Sequence, residues 1–372
     1  METNTALTEK REELERRLAA GEYRTLVDIF LERFDRLIRK VARRSKPLPN
    51  WGLTVILSVI FMLISFTAIY AMDDLIPIFN ILRPYGILGI LATISYAFLA
   101  VASVIVINQY IGRIFVFWRN DVLDATESVA SLEDFEDWLE KVCNQRLYFL
   151  MTVIGGFFIG LNTVTLLNTR FGEPVGYGTT FTNIILGMFS VSFIYLFFMV
   201  VLLSAKLRRY DLKLFSSDPS SSEVVSRLSS ELNFVIYFVA FYAAILTLIS
   251  AWIQVLPSIG IFLVLFLWFP IISLFVLNHS SLSSIIRRAK RKTLNGIQYK
   301  VEKLQEAKNL EDKETMDAIN RLMDYHDRVK ATRDSALDFR AYLNFINSLL
   351  LPLLAFLLGN LDLVLSLFKR QP

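Results

Sequence analysis

The side chains with the strongest intrinsic chemistry are scarce in this chain. It holds two histidines, His279 and His326, and one cysteine, Cys143. The histidines lie 47 residues apart, and with a single thiol elsewhere they cannot assemble a zinc site of ordinary ligand spacing. One cysteine also excludes an internal disulfide framework. No GxSxG elbow, HExxH helix, P-loop or dinucleotide-binding glycine run occurs in the sequence. Carboxylates are plentiful, but none falls in the first six of the seven long apolar stretches given below. An intramembrane aspartyl protease or an acid-driven proton relay needs one there. The chain is therefore expected to be non-enzymatic, with no metal and no cofactor.

Uncharged polar residues inside the apolar stretches are more informative. Asn162, Thr163 and Thr165 share one stretch with the pair Gly156 and Gly160, which predicts close helix packing or a polar lining. Tyr237, Tyr242, Thr247 and Ser250 mark another. Pro270 and Pro352 each remove a helix hydrogen bond near the middle of a stretch and are candidate bends. Asn344, Asn347, Asn360 and Asp362 give the last stretch amides and the one carboxylate found in any. Asn162, Thr165, Tyr237, Tyr242, Pro270, Asn344, Asn347, Pro352, Asn360 and Asp362 are the candidates for a pathway or its gate.

Two resemblances bear on that assignment. Val175-Gly176-Tyr177-Gly178 resembles the filter of potassium channels, in which backbone carbonyls coordinate the ion. Here Pro174 stands in the threonine position and Thr179 in that of the acidic residue that commonly follows. The 13 residues joining the flanking stretches are too few for a pore helix, a filter and a return, so a glycine-rich turn is expected. Seven spans with an inner N-terminus and an outer C-terminus resemble, in topology, insect odorant and gustatory receptor channels. That resemblance implies a final helix lining a pore. The Tyr…Gln-Phe pattern of the family's final helix is absent.

These residues sit on elements that hydropathy makes plain. Stretches at Trp51–Met72, Gly86–Ile111, Leu147–Leu167, Phe181–Leu203, Phe234–Val255, Ile259–Leu277 and Leu343–Phe368 are long and apolar. A bilayer core of about 30 Å needs roughly 20 such residues in a helix, and within one segment only a helix satisfies its own backbone. The composition, 54% hydrophobic with mean hydropathy +0.47, agrees. The expected fold is all-α: a polytopic helical membrane protein of seven spans, or six plus a re-entrant segment. Residues 1–50 form a basic amphipathic helical region, 51–277 a six-helix bundle with helical connections at 113–146 and 204–233, 278–342 a helical hairpin, and 343–372 the last segment.

Lys and Arg set the orientation. The N-terminal segment and the connections after spans two, four and six hold 35 of them, against two (Arg83 and Arg170) in the other three connections. Positive segments remain inside, which predicts a plasma (inner) membrane protein with a retained, cytoplasmic N-terminus. Residues 22–44 alternate apolar and basic positions at helical spacing and are expected either on anionic lipids of the inner leaflet or packed on other helices. The acidic run Asp121–Glu140 lacks EF-hand spacing and is expected to pair with that basic helix. Ser220 and Glu223 have capping-box spacing. Leu294, Ile297, Val301 and Leu304, then Met316, Ile319, Met323 and His326, predict two antiparallel coiled-coil-like helices, the first continuing span six. No segment suits nucleic acid. The function expected is a homo-oligomeric channel or sensor coupled to its cytoplasmic helices; the alternatives are a scaffold that conducts nothing and a transporter of a neutral or hydrophobic solute.

Overall fold

The computed structural model describes residues 2–43, 45–72, 86–171, 176–252, 257–307 and 313–335. The elements are α1 (Glu2–Ala19), α2 (Leu26–Ala42), α3 (Asn50–Met72), α4 (Gly86–Phe117), α5 (Val129–Val142), α6 (Gln145–Phe171), α7 (Tyr177–Leu207), α8 (Glu223–Trp252), α9 (Pro257–Ala307) and α10 (Lys313–Ala331). Among the described residues the one β feature is an isolated antiparallel bridge, Thr126 to Leu212. Six helices, α3, α4, α6, α7, α8 and α9, are long and apolar enough to cross a bilayer. The protein is thus an all-helical, multi-pass, membrane-embedded chain. The seventh apolar stretch lies outside the described residues, and Asn344, Asn347, Pro352, Asn360 and Asp362 lie there with it.

Packing is uneven along the bundle. The most apolar window of α4 is 56% buried, whereas that of α6 is 17%. α4 is therefore central and α6 peripheral. Glycine decides how α6 meets α7. A Cβ on Gly160 would stand 2.5 Å from Ile184 Cα, and one on Gly187 would stand 2.5 Å from the Gly156 carbonyl oxygen. Only glycine permits that approach of backbones, the small-residue packing expected from Gly156 and Gly160.

The densest core lies where the long connections gather, here termed the polar end. α4 passes into a π turn, Trp118–Val122, which widens the helix and buries both end residues. The Trp118 ring stacks on Phe135 with centroids 3.8 Å apart and meets Tyr210 edge-on at 5.4 Å. Trp138 Nε1 donates to the Met199 carbonyl at 2.8 Å. These contacts fasten α5 to the ends of α4 and α7.

α1 was not anticipated. It buries Leu14 completely and rests on α5 through Glu136, which pairs with Lys10 at 2.7 Å and with Arg17. Among the described residues the acidic run pairs with α1 through Glu136, with α7 through Asp134–Lys206 and with α9 through Glu127–Lys292, and forms no ion pair with the basic helix at 22–44. The basic residues of α2 pair within α2 itself, as in Arg36–Glu32 and Arg39–Asp35. The capping expectation at 220 also shifts. Ser220 belongs to a 3-10 turn held by Asp218, and α8 starts at Glu223. Ser222 precedes it and accepts from the Phe215 amide at 2.7 Å.

α9 continues without a break for 51 residues. Ser281 Oγ donates to the Ser204 carbonyl at 2.6 Å. Arg288 donates to the carbonyls of Arg208 and Arg209 and to the Asp211 carboxylate. Farther along, Ile297 and Val301 bury themselves against Ile319 and Val329 of α10. α9 and α10 thus pack together through residues of the apolar spacing.

Candidate functional site

A polar cavity of about 740 Å³ opens at the polar end of the bundle, between α4 and α8 and beside α2. α4 reaches it with Asn108, Gln109, Gly112 and Arg113, and α8 with Arg227, Ser230 and Glu231. Asp28 enters from the first turn of α2, and Asp121 from the π turn.

The order of this wall starts with a helix cap. Thr25 and Asp28 form a capping box at the start of α2: Thr25 Oγ1 accepts from the Asp28 amide at 3.0 Å, and Asp28 Oδ2 accepts from the Thr25 amide at 3.3 Å. Asn108, 1% exposed, locks onto it. Its Nδ2 donates to Asp28 Oδ1 at 2.6 Å, and its Oδ1 accepts from Thr25 Oγ1 at 2.6 Å. One amide thereby ties a membrane helix to α2.

The opposite wall is charged. Arg113 lays its guanidinium over the Phe234 ring at 5.2 Å, a cation–π contact. Arg227 bridges Asp121 at 2.7 Å and Glu223 at 2.6 Å. Among the described residues Glu231 Oε2 is buried without a hydrogen-bond partner. A buried carboxylate oxygen without a donor is costly. Gly112 opens the cavity wall: a Cβ there would meet nothing within 4 Å.

The candidates read from the sequence lie elsewhere. Asn162 Nδ2 donates to the Phe158 carbonyl at 2.7 Å and Thr165 Oγ1 to the Leu161 carbonyl at 3.0 Å, both on the exposed face of α6. Tyr237 is exposed on α8, while Tyr242 packs on Phe193 with centroids 5.3 Å apart. Pro270 sits inside α9. Asn162 and Thr165 are thus not brought together with Tyr242. In the filter-like run, α7 is already helical at Tyr177, and Gly178 is buried against the backbone of Ala68 and Ile69 of α3. Close packing explains that glycine. Val175 lies outside the described residues.

Asn108 and Gln109 were missed, although two adjacent amides ending an apolar stretch, just before Gly112-Arg113, are the available signal. Among the described residues no group of three His, Cys, Asp or Glu side chains converges on a metal position. Burial, with a contribution from the Asp28 charge, pushes the Cys143 thiol up to about 12, which keeps it protonated and unreactive at neutral pH. No family model, curated protein or solved structure matches the chain.

Proposed function

We propose that this protein is a non-enzymatic, homo-oligomeric membrane protein of the plasma (inner) membrane. Its polar cavity serves as the inner mouth of a channel or as the pocket of a sensor. Its state is coupled to the α9–α10 hairpin. The polar end faces the cytoplasm, in keeping with the distribution of Lys and Arg. α2 lies on the anionic inner leaflet: Phe30, Leu37 and Val41 are exposed along one face with Arg33, Arg36 and Lys40 beside them.

One observation carries this reading. Asp28, Arg113 and Glu231 surround one cavity at the ends of otherwise apolar helices. Charged side chains converging on one cavity where the apolar stretches end are the arrangement in which a polar solute or ion would be bound. The test is to fill the cavity. Gly112→Leu adds a side chain where the wall is open, at a helical position where leucine is favoured over glycine by about 1 kcal/mol. Purified parent and variant would be compared for oligomer size and for ion or solute flux in liposomes. The expected result is unchanged assembly with flux abolished. Equal flux in both proteins would remove the cavity from the pathway, and no flux in the parent would favour a scaffold.

A further inference from the structure

A second cavity, of about 630 Å³, lies along α9 where its apolar part ends. Among the described residues α9 alone lines it, with His279, Ser283, Arg287 and Arg291 at four-residue intervals and Ser280, Ser284 and Arg288 alongside. Residues four apart share a helix face, so these side chains form one basic, hydroxyl-bearing strip.

The charges of this strip are sorted. Arg288 is committed to the carbonyls of 208 and 209 and to Asp211. Lys290 is committed to Asp334 at 2.8 Å and to the Thr332 carbonyl at 2.7 Å. The hydrogen bond from Lys290, with the charges of Lys290, Arg287 and Arg291, holds the Asp334 carboxyl below the usual carboxylate range. Asp334 is therefore anionic and already used. Arg287 and Arg291 are exposed and make no ion pair among the described residues. Their charges act on Asp334 from a distance, but among the described residues no carbonyl or carboxylate accepts a hydrogen bond from them.

Ser283 supplies an independent sign. It is 6% exposed, and among the described residues its Oγ has no hydrogen-bond partner. A helical serine commonly returns its hydroxyl to the carbonyl four residues back, as Ser204 does to Val200. Ser283 keeps its hydroxyl unbonded beside two uncommitted guanidinium groups. A hydroxyl donor and two planar forks match an oxyanion with several acceptor oxygens, whereas His279 Nδ1 already lies 3.5 Å from Ser335 Oγ. The height on the helix fits too. Phe269 and Val276 are exposed on the apolar part of α9, and Ser283 lies seven residues on, about 10 Å along the axis.

We propose that this cavity binds a phosphomonoester, with Arg287 and Arg291 gripping the phosphate oxygens and Ser283 donating to one of them. The phosphate belongs either to a lipid headgroup or to a free solute. This deepens the reading of inner-leaflet anionic lipid given above and rests on it only for the choice of leaflet.

The test uses the full chain in detergent and reads its melting temperature with phosphatidate, phosphatidylserine or phosphatidylcholine added, and with inorganic phosphate alone. Ligand bound to the native state raises that temperature. Phosphatidate is expected to raise it well beyond the other two lipids. Binding should weaken at least about tenfold in Arg287→Gln/Arg291→Gln and persist in Lys300→Gln/Lys303→Gln, which removes two charges farther along α9. Ser283→Ala should melt like the parent or higher without ligand, because an unsatisfied hydroxyl is lost, yet gain less from phosphatidate. An equal rise with inorganic phosphate alone assigns the site to a free phosphate; a rise confined to lipid assigns it to the bilayer. Equal rises from phosphatidate and phosphatidylserine, or an undiminished rise in the arginine double variant, overturn the proposal. If that variant does not fold, an undiminished rise in Ser283→Ala overturns it. Binding in detergent is blind to orientation, so a wrong leaflet would show in topology measurements and leave these results intact.

Discussion

Single residues do the fastening at the polar end, and Glu136 is the clearest case. Burial raises its pKa, but the Lys10 hydrogen bond and the charges of Lys10 and Arg17 outweigh that, so the carboxyl is held below its ordinary value of 4.5. A depressed folded-state pKa contributes stability that is complete above the unfolded value and is lost as pH falls through the folded one. α1 should therefore stay docked near neutral pH and loosen only under acid conditions below about 4.5. Glu136→Gln should loosen it at neutral pH by about 2 kcal/mol, the scale of a charge-assisted hydrogen bond. Hydrogen exchange across Glu2–Ala19 would report both effects, and unchanged protection in the variant would show that apolar packing of Leu14 suffices. None of this was legible in the sequence. Glu136 is one of eight acidic residues in its run, and partners 119 to 126 positions away leave no local spacing to read. Asn108 hides for the same reason: its partners are Thr25 and Asp28, on another helix.

Elements were far more legible, because an apolar run or a helical period is a local property. The six described spans, the unbroken passage of the sixth into a longer helix and the packing of α10 on α9 all follow from hydropathy and 3-4 spacing. α1 escaped notice because its apolar face is thin: a polar helix with only Leu7, Leu14 and Leu18 to bury reads as solvated until α5 is placed against it. The Gly156–Gly160 pair was legible as a packing signal, and its partner Gly187 was not. Gly187→Ala should push α6 from α7, since the new Cβ would stand 2.5 Å from a carbonyl oxygen. A cost of about 1–3 kcal/mol is expected, the range for overpacking, read as a lowered melting temperature in detergent. A variant as stable as the parent would mean that the two helices can slide. The hairpin permits a second test. Removing residues 294–329 should leave the spans inserted, as protease protection would show, while regulation or assembly is lost. Retention of both would detach the hairpin from function.

For the whole molecule, charge distribution and packing point the same way. The side rich in Lys and Arg is also the side where the aromatic core, the ion pairs and both cavities lie. In a Cys143→Ser background, a cysteine placed at Ser220 or Asp312 should resist an impermeant thiol reagent in sealed cells, and one at Gly172 should react. Reaction at Ser220 would invert the proposed orientation. The large buried cluster of the described residues is concentrated at the polar end. α9 runs through that cluster, and Arg288 clamps the helix near the midpoint between Pro270 and Ala307. At 1.5 Å per residue the two arms measure ~27 Å and ~29 Å. The hold is broader than one point: Ser281, Arg288 and Lys292 are each fastened to another element, over ~16 Å of the axis, so both arms spring from one shared block rather than from a single pivot.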